Sequence, residues 1–196
     1  MFKVGIMGGT FDPIHCGHLL AAESAREACE LDEVWFIPAN CPPLKGGKPD
    51  ADGAVRLEMV RLAIGGNPCF RAMDTELRRG GVSYSVDTAA TLQQEYPDRE
   101  FYYIVGSDRI NDLPSWHRIE ELAAIVRFIG LERPGAKPAP DGLPEYLRQR
   151  ISFVEMPQID ISSTDIRRRR SEGRSIRYLV PDAVYHFMIR NGLYEA

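Results

Sequence analysis

The sequence predicts an α/β protein with a doubly wound, mostly parallel sheet. Three observations carry that expectation. Short apolar or β-branched runs alternate with helix-like segments along the chain, the first run ends in a pair of glycines, and no internal repeat or low-complexity tract interrupts the alternation. Strands separated by helices pair in parallel through right-handed crossovers. Ligands of such sheets sit outside the carboxyl ends of the strands, where strand order reverses.

The elements follow in order. Phe2–Met7 reads as a buried strand running into Gly8 and Gly9. His18–Cys29 has Leu19, Ala22, Ala25 and Cys29 at helical spacing. Glu33–Ile37 is a second strand, stopped by Pro38, and a Pro/Gly-rich loop follows it. Val55, Met59, Leu62 and Ala63 mark the inward face of a second helix. Phe70–Met73 is a third strand, Val86–Glu95 a third helix, and Phe101–Val105 an aromatic strand ending at Gly106. Ile119–Ile125 is a short helix before the strand Val126–Leu131. Gly135–Pro144 is a loop and Ile151–Val154 a last strand. Ser163–Arg170 starts a helix, and Pro181–Arg190 closes the chain with Val184, Phe187 and Met188 inward and Gly192 as a stop. The whole is expected to be a single domain over residues 1–196, with a helical portion from about residue 162.

Composition narrows the function classes. At 196 residues, 44% hydrophobic and 27% charged, the chain can bury a core without metal or disulfide help. Val4–Met7 is too short for a signal-peptide core, and no run approaches membrane-spanning length. Cys16, Cys29, Cys41 and Cys69 share no C-x-x-C spacing, so reduced thiols in a cytoplasmic protein are expected. Net charge is −4, unevenly spread: residues 1–98 carry 9 Lys+Arg against 14 Asp+Glu, and residues 99–196 carry 15 against 14. Six arginines fall between Arg167 and Arg177. A local basic patch on an acidic protein suits a phosphate-bearing small molecule better than nucleic acid or a membrane.

The first strand exit carries the densest chemistry. Gly8-Gly9-Thr10-Phe11-Asp12-Pro13-Ile14-His15-Cys16-Gly17-His18 runs straight into a helix. Glycines without a Cβ let a ligand approach the backbone, and the helix start offers unpaired N–H groups and a positive dipole end. His15 and His18 there can hold a phosphate and offset charge that develops during reaction. A structural pair capping the turn is the competing reading. Neither G-x-G-x-x-G nor a Gly-Lys-Ser/Thr loop occurs. A metal site would have only His117 and His186 left to recruit, with no obvious third ligand, so no protein-held metal is expected.

This segment resembles the signature of the nucleotidyltransferase superfamily with the H-x-G-H motif, and its long form resembles the bacterial nicotinate-nucleotide adenylyltransferase family. Agreement extends through Phe36–Lys45, Gly81–Thr88, Val105–Asp108, Leu113–His117, Glu132–Gly135 and Ile161–Arg167, along nearly the whole chain. The resemblance implies a Rossmann-like nucleotidyltransferase fold and adenylyl transfer from ATP to nicotinate mononucleotide, giving deamido-NAD and pyrophosphate. It implies Mg²⁺ arriving with ATP. One departure is plain: the family often has a histidine after the two prolines of the second loop, where this chain has Leu44.

The remaining candidates follow strand ends. Ser162 with Asp165 resembles a capping box, so a purely structural cap competes with phosphate binding by Ser162, Ser163, Thr164 and Arg167. The resemblance implies that this segment grips the triphosphate, together with Gly8, Gly9, Thr10, Phe11, His15, Gly17 and His18. It assigns Gly106, Asp108 and Arg133 to the adenosine part. Arg168 to Arg170 read as a solvated helix face. Trp116, in a loop beside Pro114, suits stacking on a cationic pyridine ring. Ser83, Tyr84 and Ser85 precede a helix and can bind a carboxylate through backbone N–H groups; the family usually has Thr at Ser85. Asn40 and Lys45 sit in the loop after the second strand, with Lys45 in reach of a phosphate. His18 is the expected contact to the α-phosphate, with His15 and Arg167 assisting as catalytic groups. The rivals are a sister enzyme using nicotinamide mononucleotide or phosphopantetheine, and a non-catalytic nucleotide- or RNA-binding module. The sequence leaves oligomeric state open, a homo-oligomer included.

Overall fold

The computed structural model describes residues 1–43, 49–132 and 142–196, with Asp108 by its backbone alone. Its strands are β1 (Phe2–Gly9), β2 (Glu33–Pro38), β3 (Phe70–Ala72), β4 (Arg99–Gly106), β5 (Val126–Glu132) and β6 (Ile151–Glu155). They form one sheet in the order β3-β2-β1-β4-β5-β6, every neighbouring pair parallel. The chain winds outward from β1 in one direction and then restarts at β4 in the other. The order therefore reverses between β1 and β4, whose carboxyl ends carry Gly8, Gly9 and Gly106. The doubly wound expectation holds, and the sheet is wholly parallel.

Alternation along each strand divides the core between the two faces. Val34 and Phe36 of β2 turn to one side, where α1 (Cys16–Ala28), α2 (Gly53–Ile64), α8 (Ser163–Ser171) and α9 (Asp182–Arg190) pack through Ala22, Ala25, Met59, Val60, Ile166, Val184 and Met188. Trp35 and Ile37 turn to the other, against α4 (Ser85–Glu95) and α6 (Ile119–Ile125), which contribute Val86, Ala89, Leu92 and Leu122. Both faces being covered explains why the strands read as continuous apolar runs.

Sequence periodicity missed the short pieces: α3 (Thr75–Arg79), α5 (Ser107–Ile110), α7 (Glu145–Arg148) and a 3-10 turn at Leu113–Ser115. Each is shorter than two helical turns, too brief to show a period. The inward face of α2 also differs from expectation. Arg56, Leu57, Met59, Val60 and Ile64 are buried, whereas Val55, Leu62 and Ala63 are only partly so. The helix is rotated so that Arg56 reaches inward, for a reason that lies at the first strand exit.

The helices after residue 162 complete the first face. Ser162 caps α8, its hydroxyl accepting the Asp165 N–H at 3.1 Å, so the capping reading of that serine is correct. Val184 and Met188 anchor α9, with Phe187 partly buried beside them. No helix among the described residues is long and apolar enough to cross a membrane.

Candidate active site

The loop from Thr10 to His15 is held from every side. Asp12 is 4% exposed, so its carboxylate must find donors within the protein. Oδ2 accepts the Asp50 N–H at 2.8 Å; Oδ1 accepts the Ala51 N–H at 3.1 Å and the Tyr194 hydroxyl at 2.6 Å. Arg56, 2% exposed, donates to the Thr10 carbonyl at 2.7 Å and the Ala51 carbonyl at 3.0 Å. Ser163 donates to the Pro13 carbonyl at 2.8 Å, and Arg167 to the Asp12 carbonyl at 2.8 Å. Two segments distant in sequence, residues 50–56 and α8, are thereby stitched to one loop.

At the start of α1 the two histidine rings stack, 3.7 Å between centroids. The His15 N–H donates to His18 Nδ1 at 3.2 Å, and the His18 N–H to the His15 carbonyl at 3.0 Å. The pair therefore does cap the turn, as the structural reading held. That bond also fixes chemistry: Nδ1 of His18 accepts, so its ring proton sits on Nε2. Phe11 meets His18 edge-on at 5.1 Å. Burial lowers His15 from its ordinary 6.5 to about 4, and its Nδ1 is buried without a partner. His15 is thus neutral and supports the turn from beneath. Gly17 makes room for this, since a Cβ there would come within 3.1 Å of the His15 ring.

The glycines of β1 line the cavities at the strand ends and also make room for neighbouring side chains. A Cβ on Gly8 would lie 2.6 Å from the Tyr103 hydroxyl, and one on Gly9 2.9 Å from the Phe11 ring. Part of the room they leave is taken up by the protein's own side chains.

Two chambers open at the switch point and meet at Gly9, Thr10 and Pro42. One, of about 360 Å³, is lined by Phe11, Asp12, His18, Asp50, Ser163 and Arg167. The other, of about 530 Å³, is lined by Ser83, Tyr84, Ser85, Tyr103, Gly106, Trp116 and His117 among others. Trp116 stands edge-on to Tyr103 at 5.8 Å, with its indole N–H buried and unpartnered. Tyr84 and His117 lie ring against ring at 4.2 Å.

The structure brings most of the sequence candidates into these chambers, with corrections. Thr164 lines an adjoining cavity of about 550 Å³, beside Arg168 and Tyr194, which shares Asp50 and Arg167 with the first chamber. Asn40 ties loops together, its side chain donating to the Gly81 carbonyl and its N–H to Ser83 Oγ, both at 2.9 Å. Within Ser83–Ser85, the Ser83 N–H is taken by the Cys41 carbonyl and the Tyr84 N–H by the Val82 carbonyl. The donors still open belong to the first turn of α4, at Ser85, Val86 and Asp87. Lys45 and Arg133 lie outside the described residues, and Asp108 is placed at the start of α5. Arg168 and Arg169 pair with Asp165 on the outer helix face, whereas Arg170, its side chain 13% exposed, is largely buried and pairs with Glu195, so the solvated-face expectation fails for Arg170.

Sequence reasoning missed Asp12, Asp50, Arg56, Tyr194, Glu76, Tyr103 and His117. An arginine inside the apolar run of α2 was the one available signal for Arg56. Glu76 is 3% exposed at the edge of the larger chamber. Burial pushes its carboxyl up, opposed by hydrogen bonds from the Thr88 and Ser83 hydroxyls.

Comparison with known proteins bears on this geometry. A family model described as cytidylyltransferase-like matches residues 6–169. A probable nicotinate-nucleotide adenylyltransferase of Oceanobacillus iheyensis is 45% identical, covering 99% of this chain and 97% of its own. The nicotinate-nucleotide adenylyltransferase of Bacillus subtilis is 41% identical, covering 100% of each chain. Among solved structures, the Plasmodium falciparum nicotinic acid mononucleotide adenylyltransferase complexed with NaAD is similar with a TM-score of 0.78. It is 22% identical, over 99% of this chain and 98% of that one, a likeness of fold.

The buried His15 makes stability depend on pH. Between pH 6.5 and 4 the unfolded chain binds a proton that the folded chain refuses, so stability falls as pH falls through that window. The loss amounts to about 3 kcal/mol by pH 4. Urea unfolding at several pH values should show that loss shrinking by a similar amount in His15→Asn relative to wild type. Parallel pH profiles for the two proteins would show that His15 is not held neutral.

Proposed function

The chain belongs to the cytidylyltransferase-like family, in company with the nicotinate-nucleotide adenylyltransferases, and from that premise we propose that it transfers AMP from ATP to nicotinate mononucleotide. The observation that carries the reading is the pair of chambers meeting at Gly9 and Thr10. One presents His18, Ser163 and Arg167, a set suited to phosphates; the other presents Trp116 and the first turn of α4, suited to a charged pyridine acid.

In the reaction, a phosphate oxygen of the mononucleotide attacks the α-phosphorus of ATP in line. A new P–O bond forms as the bond to the β-phosphate breaks, and pyrophosphate leaves. The attacking phosphate is already anionic, so no general base and no covalent enzyme intermediate are needed. Catalysis is then positioning plus stabilisation of charge on the α-phosphate and the leaving group. His18 donates through Nε2–H, the tautomer its backbone partner enforces. Arg167 is oriented by the Asp12 carbonyl and by Asp50, 2.6 Å away. Asp50's side chain is 62% exposed, so this pair is weak and a triphosphate competes for Arg167 at little cost.

Magnesium is proposed to arrive with ATP and to offset charge on the phosphate oxygens. The donor set fits that mode of delivery. Both Asp12 oxygens are spent on protein donors, which leaves Asp50 as the carboxylate that would hold the ion's water shell. The free cysteines suit a reduced, cytoplasmic setting.

Acid over amide follows from the donors. Nicotinate mononucleotide brings a carboxylate to the first turn of α4, whereas the amide would bring an NH₂ to N–H groups that cannot accept. One or two such differences, at about 1.5–3 kcal/mol each, imply roughly tenfold to a few hundredfold higher kcat/KM for the acid. Pyrophosphate release with ATP and each of nicotinate mononucleotide, nicotinamide mononucleotide and phosphopantetheine measures this. Ser85→Pro should erode the preference, while Trp116→Ala should weaken both pyridine nucleotides in parallel. Equal kcat/KM for acid and amide would refute the carboxylate site, and release only with phosphopantetheine would refute the substrate class.

His18→Ala should lower kcat by roughly 10²–10³, the usual cost of about 3–4 kcal/mol for one donor to a developing oxyanion, with a smaller change in ATP KM. Steady-state kinetics in both substrates checks it. A kcat within a few-fold of wild type would make His18 a structural cap only.

A further inference from the structure

Tyr194 follows α9 and stands 182 positions from Asp12, yet its hydroxyl donates to Asp12 Oδ1 at 2.6 Å. The contact comes from an anchored element. Val184 and Met188 of α9 are fully buried, and the Leu193 N–H closes the helix end on the Met188 carbonyl at 3.0 Å. Burial and the neighbouring Asp12 carboxylate keep the phenol protonated, so it remains a donor.

We propose that Tyr194 is a positioning residue for the triphosphate, acting through Asp12 on Arg167. Asp12 Oδ1 has two donors, Tyr194 and the Ala51 N–H, and the carbonyl of the same residue receives Arg167 Nη1. Removing the hydroxyl leaves a buried carboxylate under-satisfied. The residue then turns toward other donors or admits water, and either response moves the carbonyl that aims Arg167. The mononucleotide chamber lies beyond Gly9 and is lined by neither Asp12, Arg167 nor Tyr194. The effect of Tyr194 is therefore confined to the nucleoside triphosphate.

This rests on the reading that the triphosphate occupies the chamber of His18 and Arg167. The test uses the full chain, with titration calorimetry of a non-hydrolysable ATP analogue and KM for each substrate. Tyr194→Phe keeps the ring volume and removes only the hydroxyl. Analogue Kd and ATP KM should rise roughly five- to thirtyfold, with the mononucleotide KM within about twofold of wild type. Glu195→Gln weakens the adjacent pair with Arg170 without touching Asp12, and should leave ATP affinity unchanged. An unchanged analogue Kd in Tyr194→Phe would overturn the proposal, even with a lowered Tm. So would an equal weakening of both substrates, or the same ATP defect in Glu195→Gln, since each signals general loosening of the segment. Analogue binding needs no second substrate, so it stays readable whatever the acceptor is; a wild-type protein that bound no analogue would instead sink the assignment of the chamber.

Discussion

A carboxylate shut away from water has to be answered inside the protein, and Asp12 is answered by two segments distant from it in sequence, residues 50–56 and the chain end after α9. The backbone at Asp50 and Ala51, the hydroxyl of Tyr194 and the nearby cation of Arg56 converge on it. Its burial is tolerable only because each donor is in place, and each donor ties the loop to a stretch of chain that the core already anchors. The loop so fixed carries the Thr10, Asp12 and Pro13 carbonyls that orient Arg56, Arg167 and Ser163. The phosphate chamber exists because this network closes.

The fold supplies the place and the network supplies the shape. Strand order reverses between β1 and β4, which leaves a crevice at their carboxyl ends. The loop after β1 builds the polar half of that crevice. The segment before α4 and the loop carrying Trp116 build the aromatic half, stitched to the loop after β2 through Asn40, Cys41 and Ser83. Two substrates held as proposed in the adjoining chambers would meet with their phosphates at Thr10. Such a site needs no reactive side chain, only fixed donors.

Much of this was legible in the sequence because it follows from short-range pattern. The alternation of elements gave the parallel sheet, and the segment Gly8–His18 marked the polar chamber. Reading went wrong where long-range contacts decide. Gly8 and Gly9 line the chambers, and their missing Cβ atoms also accommodate Tyr103 and Phe11, which no local pattern reports. Arg56 on a buried helix face, and Tyr194 bonded to Asp12, are consequences of tertiary closure alone. The open N–H donors lie in the first turn of α4 rather than at Ser83 and Tyr84 because the Cys41 carbonyl takes the Ser83 N–H and the Val82 carbonyl that of Tyr84. The histidine pair at the start of α1 caps the turn, and the hydrogen bond that does so also sets the His18 tautomer.

The central claim is that this site transfers the adenylyl group by holding two phosphates in line, with no group of the protein bonding to phosphorus. The stereochemical course at the α-phosphorus tests it most directly, using ATP made chiral there with sulfur and oxygen isotopes and nicotinate mononucleotide as acceptor. A single in-line displacement inverts the configuration in the dinucleotide product, and inversion is what the account predicts. Retention would mean two displacements and a covalent adenylyl-enzyme, and would contradict it.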